Sequence, residues 1–482
     1  NIVLDGIRPT IVSTSPVDNS SLISLNSKIS ILFSEEIDPK TVTINTTNSS
    51  CTGSLQVSSD NFSTCVKMLY SPLPSNSNHT FSLEPVDNLI ENETYKIKIS
   101  KIIKDLSGNN LSEKISFIHS FKTEIIPIYN SRNVKILASG DGHNCYIRSA
   151  GEVYCWGWNT NGQIGRINVK KGLPKKVNGI PSVYSLSAGR YHTCGIIDLG
   201  KVSCWGAGFA GQLGNGFVPD NSTPVIVYGL FGIIKTSSGE YHTCALKSDQ
   251  KLYCWGSSSY GQLGLGDFFQ KNIPKLVENL DSVIDFDAGS THTCAVISNG
   301  EAYCWGDNSD GQLGDGTTTS TASPIKVNIN EKISQITLGW NHTCALLDNR
   351  KIKCWGDNSD GQLGDGTTTS SKNRVLVNNI NYATEVIAGS NHTCTILYNK
   401  EIICWGNNFS GQIGHGISYP WVETNPTPVS GIDNAVEVSA GSFHTCALLN
   451  NNKVKCWGSN WEYELGNSDI YDSNVPIDVI FD

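Results

Sequence analysis

Fourteen cysteines recur as pairs whose partners stand ten positions apart. Cys145 goes with Cys155, Cys194 with Cys204, Cys244 with Cys254 and Cys294 with Cys304. Cys344 goes with Cys354, Cys394 with Cys404 and Cys446 with Cys456. A histidine stands two residues ahead of each first cysteine: His143, His192, His242, His292, His342, His392 and His444. Thiols and imidazoles can bind zinc, exchange electrons as dithiols, or brace a fold. Zinc asks for tightly spaced C-x-x-C ligands, and these pairs are too far apart along the chain. Two further cysteines, Cys51 and Cys65, bring the count to 16, an even number. The reading is therefore eight disulfides, the bond of Cys51 with Cys65 included, formed in an oxidising compartment. One histidine per copy is spread along the chain instead of converging on a metal, so each ring nitrogen is expected to bond backbone within its own copy.

Other chemistry is not supported. Gly195–Lys201 has the spacing of a phosphate loop, but Val202 follows the lysine and the segment lies across a hairpin. Asp307–Gly311 has the composition of a calcium loop with the wrong spacing. Neither G-x-S-x-G nor H-E-x-x-H occurs. The expectation is a protein that is not an enzyme, with no catalytic residues, no metal and no cofactor.

The elements that position the cysteines can be derived. Folding the segment between Cys344 and Cys354 about Asn349 sets 345 against 353 and 347 against 351, with Asp348-Asn349-Arg350 as a three-residue loop. Such loops favour the left-handed region at their third position, where Gly151, Gly200 and Gly300 stand in three copies. The two cysteines then face each other with Cα atoms ~4.5–5.5 Å apart, within disulfide reach. First cysteines advance by 49, 50, 50, 50, 50 and 52 residues, and 304–320 is identical to 354–370. A strand such as Ile333–Leu338 precedes each hairpin and ends at a glycine three residues before the histidine. A P-x-x-V segment such as Pro324–Val327 follows it. Four strands per unit make a propeller blade. The last such segment, Pro476–Phe481, is expected to complete the first blade and so close the ring. The Cys-Trp-Gly tryptophans, Trp156 to Trp457, are expected to pack between blades.

Bulk properties agree. Of 482 residues, 38% are hydrophobic and 16% charged, with 46 glycines, which suits a turn-rich globular chain. The net charge is −9, and neither the first 125 residues nor the remainder is basic. Nucleic acid and anionic membrane are disfavoured as partners. No apolar stretch reaches spanning length, so no membrane insertion is expected. The chain starts at Asn1 and its one methionine is Met68, which suits a chain lacking a removed leader or trimmed at its start.

The motif H-x-C-x₉-C-W-G-x-N-x-x-G-Q-L-G, repeated over about 134–481, resembles the repeats of the regulator of chromosome condensation family. The resemblance implies a seven-bladed β-propeller of four-stranded blades, and the cysteine pair resembles the extracellular bacterial branch. Residues 8–37, Tyr95–Ile99, Asp105–Asn109 and Phe121–Thr123 are similar to bacterial Ig-like domains of envelope proteins. The expected fold is all-β: an Ig-like β-sandwich over 1–124, a linker over 125–133, and the propeller over 134–482, closed by the C-terminal strand.

The function expected is protein recognition or scaffolding, secreted or at a bacterial cell surface, with a protein partner or self-association. Alternatives are a structural subunit of an extracellular filament or surface layer, and, with less support, a guanine-nucleotide exchange factor or a lectin. Candidate partner-binding residues come from positions where the copies differ. Tyr191, Tyr241, Trp340 and Phe443 lie in the turns between the glycine and the histidine. Phe268, Phe269, Tyr419 and Trp421 lie in the loops after Gln-Leu-Gly or Gln-Ile-Gly. Such aromatic residues are enriched at interface hot spots.

Overall fold

A computed structural model describes residues 6–23, 27–47, 49–86, 89, 93–112, 117–123, 135–148, 151–417 and 419–481. The expected linker, 125–133, lies outside the described residues. Two compact units are present, Asn1–Ile128 and Tyr129–Asp482.

In the first unit, alternation of apolar residues drives two four-stranded sheets. One orders Ile11–Ser15, Ile29–Phe33, Thr80–Leu83 and Leu73–Ser75. The other orders Ser20–Ile23, Phe117–Thr123, Thr94–Ile99 and Leu55–Ser58. Ile29, Ile31 and Phe33 are buried on alternate positions, and they share one cluster with Val57, Tyr95, Ile97 and Phe121 from the other sheet. A strand with period 2 must turn one face inward, and both sheets turn theirs to the same core. Cys51 and Cys65 form a disulfide with Cα atoms 4.9 Å apart.

The second unit contains, among the described residues, seven four-stranded antiparallel sheets, each contiguous in sequence. The fifth is representative, with strands Ile333–Leu338, His342–Leu347, Ile352–Gly356 and Ser371–Leu376. Cys344 pairs with Cys354 and Ala345 with Lys353, the register derived from the cysteine spacing.

One disulfide joins the two middle strands of each sheet. From the first sheet to the fourth, Cys145 is bonded to Cys155, Cys194 to Cys204, Cys244 to Cys254 and Cys294 to Cys304. In the last three sheets Cys344 is bonded to Cys354, Cys394 to Cys404 and Cys446 to Cys456. Their Cα atoms are 4.0–4.1 Å apart. That lies below the ~4.5–5.5 Å expected from the sequence, so the spacing is corrected downward, toward the closer of the two classes of antiparallel cross-strand pair. The third residue of each hairpin loop has positive φ, at Gly151, Gly200, Gln250, Gly300, Arg350, Lys400 and Asn452. Glycine is favoured there but is not required.

The expected closing strand is a correction. Ser473–Asp478 pairs with Val454–Gly458 inside the seventh sheet. The first sheet takes its own outer strand, Lys171–Lys176, from the segment just after its hairpin. The P-x-x-V segment belongs to the hairpin that precedes it, so no strand is left over. The end of the chain meets the first sheet through side chains instead. The Phe481 ring lies 5.6, 6.0 and 5.7 Å from those of Tyr146, Tyr154 and Trp156.

Successive sheets share apolar clusters. Cys294, Cys304, Leu313 and Val327 of the fourth sheet pack with Ile336, Ala345 and Trp355 of the fifth. The seventh packs on the first in the same way, with Cys446, Cys456 and Leu465 against Leu137 and Trp156. All seven Cys-Trp-Gly tryptophans are fully buried at these junctions, where truncating one would cost roughly 3–5 kcal/mol.

Candidate protein-binding face

The recurring histidines are fully buried and belong to the junctions. His143, His192, His242, His292, His342 and His392 place Nε2 2.8–3.0 Å from the Oγ1 of Thr193, Thr243, Thr293, Thr343, Thr393 and Thr445, each in the next sheet. The expectation of a backbone partner inside the same copy is therefore corrected. Each threonine hydroxyl donates to a carbonyl of the preceding sheet, from Gln163 through Gln412. Its oxygen must then accept from the imidazole, which fixes the proton on Nε2. Nδ1 has no hydrogen-bond partner among the described residues. It packs against the recurring glycine: a Cβ at Gly339 would stand 2.4 Å from His342 Nδ1. Burial holds these imidazoles neutral, down at about 3, or about 4 for His342. Among the described residues no group of three or more His, Cys, Asp or Glu is placed to hold a metal.

Between the seventh and first sheets the same circuit uses different residues. His444 Nε2 donates to Asn144 Oδ1 at 2.9 Å, and Asn144 Nδ2 donates to the Glu464 carbonyl at 2.8 Å. An amide, with an acceptor and a donor, does there what a hydroxyl does elsewhere. Glu464 occupies the glutamine position of the other copies. Its Oε2 accepts from Glu462 N at 2.8 Å, as Gln362 Oε1 accepts from Asp360 N at 2.9 Å. Burial raises the Glu464 carboxyl to about 8. Two more carboxyls sit at this junction, Asp141 half-buried and Glu437 buried. Asp141, accepting from Ser442 Oγ, is raised by burial to about 6. Glu437, whose carboxylate faces the Ile136 and Leu137 amides, is raised by burial to about 7.

The first strands of all seven sheets line one central cavity of about 190 Å³. The turns between glycine and histidine stand at one end of it. There Tyr191 and Tyr241 stack with ring centroids 5.4 Å apart. Trp158 lies 5.4 Å from Tyr191, and Phe209 lies 5.4 Å from Tyr241. Arg190 ties this cluster to the charged turns. Its guanidinium sits 2.6 Å from Glu240, 3.4 Å from Asp141, and over the rings of Tyr191 and Trp340 at 5.0 and 5.3 Å. Three of the four expected turn aromatics are thus brought together, Trp340 through Arg190. Phe443 is 44% exposed and makes no recorded ring contact among the described residues. The loop aromatics form separate exposed groups. Trp421 meets Phe409 at 5.7 Å and Tyr419 at 6.3 Å. Phe268 and Phe269 are exposed, with Lys271 over the Phe269 ring at 5.7 Å.

Sequence reasoning missed Trp158, Phe209 and Phe409. Phe209 and Phe409 stand five residues after the second cysteine, where four other copies carry Thr160, Ser259, Ser309 and Ser359 and the seventh carries Trp461. That variation was the available signal.

Repeated four-stranded sheets, packed on one another in chain order through shared apolar clusters, define an all-β repeat protein. Residues 107–333 match the RCC1-like domain family. Regulator of chromosome condensation (RCC1) repeats match at 333–362, 384–412 and 435–462, and a second description of the repeat matches at 354–396 and 401–448. Residues 5–123 match the bacterial Ig-like domain. The chain therefore joins a bacterial Ig-like domain to an RCC1-like propeller. No curated protein sequence matches it significantly. Among solved structures it is similar to a chain of the complex of Kap60 bound to yeast RCC1 (Prp20), with 19% identity, a TM-score of 0.64, and coverage of 73% of this chain and 86% of that one. Human WBSCR16 is 20% identical with a TM-score of 0.62, over 68% and 95% of the two chains. Prp20p from Saccharomyces cerevisiae, described with its binding to Gsp1p and histones, is 21% identical with a TM-score of 0.62, over 70% and 88%. At these identities the likeness is one of fold. Among the described residues no helix is long and apolar enough to cross a membrane.

Proposed function

We propose that this is a non-enzymatic, secreted or cell-surface bacterial protein that binds a protein partner. The binding surface is the end of a closed seven-bladed propeller that carries the Gly-x-x-His turns. The Ig-like domain, a β-sandwich on this reading, serves as spacer or attachment. The observation that carries the reading is the contiguous group Trp158–Tyr191–Tyr241–Phe209 with Arg190 and Trp340 beside it. Tyr, Trp and Arg are the residue types of interface hot spots, whereas the equivalent turn position carries Gly142, Thr291, Asn341 and Asn391 in four other copies and a separate Phe443 in the seventh.

Three observations support the setting and the closed ring. Eight disulfides leave no cysteine free, as suits an oxidising compartment. The first unit matches a bacterial Ig-like domain. The circuit from His444 to Asn144 supports ring closure. Protein binding is also what the yeast neighbours are described as doing, with Kap60 in one case and Gsp1p and histones in another.

The test is capture from the envelope of the source organism, with mass spectrometry, comparing the native protein with a Y191N/Y241N double variant. Asparagine already stands at that turn position in two copies. A partner retained by the native protein and lost by the variant is expected. Equal capture by both would overturn the assignment of the face.

A further inference from the structure

The end of the repeat unit opposite the Gly-x-x-His turns carries a groove of about 860 Å³ between the fifth, sixth, seventh and first sheets. Tyr382, Tyr398, Arg350 and Lys400 line it. The tyrosines are 74% and 80% exposed, and the Tyr398 amide donates to the Tyr382 carbonyl at 3.0 Å, so the two residues stand side by side.

The repeat provides its own control. The same backbone bond joins Ser298 to Ser282, Asp348 to Lys332 and Asn450 to Asn434. The position of Tyr398 is held by Asp198, Ser248, Ser298, Asp348 and Asn450 in the second to fifth and seventh sheets. That of Tyr382 is held by Ser182, Gly232, Ser282, Lys332 and Asn434. The scaffold needs no aromatic at either place, and the sixth sheet alone presents two. The corresponding groove between the fourth and fifth sheets is about 310 Å³ and has no aromatic lining.

Two cations flank the tyrosines. Arg350 and Lys400 are exposed, at third loop positions with φ of 66° and 71°. Glycine fits that conformation better and stands there in three other copies. Among the described residues neither makes an ion pair, whereas Lys135 in the same groove is held by Glu385.

We propose that this groove binds an acidic saccharide, a glycan carrying uronate carboxylates. The tyrosine rings offer flat apolar faces for the C–H faces of pyranose rings. Arg350 and Lys400 meet the carboxylate, with the guanidinium suited to bidentate pairing. Glu385 is taken by Lys135 and Glu437 is buried against the Ile136 and Leu137 amides, so the tyrosine hydroxyls are the groups that meet sugar hydroxyls. The two cations beside two exposed aromatic faces set the choice of ligand. They suit a chain that spaces single negative charges between flat sugar rings better than a densely acidic peptide. The site lies on the other end from the proposed protein-binding turns and stands or falls independently of them.

The test uses the full chain and calorimetric titration with oligosaccharides of hyaluronan, polygalacturonate and alginate, each beside its carboxyl-reduced counterpart. Two variants restore residues that other copies carry at the same positions: Y382S/Y398S and R350G/K400G. Both should fold, as an unchanged tryptophan emission spectrum will show. The native protein is expected to bind at least one uronate series, and each variant to bind it about tenfold more weakly or worse. The carboxyl-reduced sugar should bind like the R350G/K400G variant with the native sugar. Failure of the native protein to bind all three series would overturn the proposal. So would unaltered affinity in both folded variants, or tighter binding of polyglutamate than of any uronate.

Discussion

The junction between the seventh and first sheets carries a glutamate where six other copies carry glutamine, and replacing it isolates one ionisation. Burial lifts the Glu464 carboxyl from the ordinary 4.5 to about 8. As pH rises from about 4.5 to about 8, the unfolded chain gives up this proton and the folded one keeps it. A raised carboxyl therefore leaves folding least penalised in acid, and stability declines with rising pH until both states are ionised. At about 1.4 kcal/mol per pH unit, the penalty at this site is about 2 kcal/mol at pH 6 and about 4 kcal/mol at pH 8. The Glu464→Gln variant has no proton to lose, and its amide restores the side chain found at Gln362. Its stability advantage over the native protein should grow by about 2 kcal/mol between those two pH values. Urea unfolding followed by tryptophan fluorescence is the assay. All 11 tryptophans lie at or beyond Trp156, so the signal reports the repeat unit and not the first unit. The difference between the two proteins is the quantity to read, because other groups titrate equally in both. A difference that stays constant across this pH range would refute the reasoning, since it would mean that Glu464 ionises in the folded protein as it does in water.

Two further outcomes are expected. The seven buried imidazoles, held neutral near 3 to 4 in the folded state against the ordinary 6.5, contribute stability that is complete above about pH 6.5 and lost as pH falls. Each contributes up to about 1.4 kcal/mol per pH unit, so the urea midpoint of the repeat unit should fall steeply below pH 6, with proton uptake approaching seven. Peptide mapping without reductant should recover eight disulfides, each within one four-stranded sheet or within the first unit. Thiol titration of the unfolded, unreduced protein should find no free thiol.

What was legible in the sequence was local. The ten-residue spacing and the three-residue loop fixed the register of Cys344 against Cys354, since a hairpin admits few alternatives once its loop length is set. Alternation in Ile29–Phe33 marked its buried face, because successive side chains of a strand point to opposite sides. What was not legible depended on partners some fifty residues away. The histidine motif shows a polar side chain in a strand, but nothing nearby in sequence names the threonine of the next sheet that receives it. The outer strand was misplaced because P-x-x-V segments can be counted either with the hairpin before them or with the one after. Only the pairing of Lys171–Lys176 with Val153–Trp158 decides the frame. The groove around Tyr382 and Tyr398 escaped notice for a related reason. The sequence shows two scattered tyrosines, and only the backbone bond between their strands makes them neighbours.

That frame bears on how such a chain can change length. Because every sheet of the repeat unit is complete within its own stretch of sequence, duplicating one stretch of about fifty residues inserts a finished module and splits no hydrogen-bonded ladder. The identical stretches 304–320 and 354–370 have the form that such a copying event leaves. A ring latched by a borrowed strand would have to keep its two ends in step through every gain or loss. Here only the side chains at the seam, Asn144, Glu464 and Phe481, would need to be kept, and the interior copies are free to multiply or diverge.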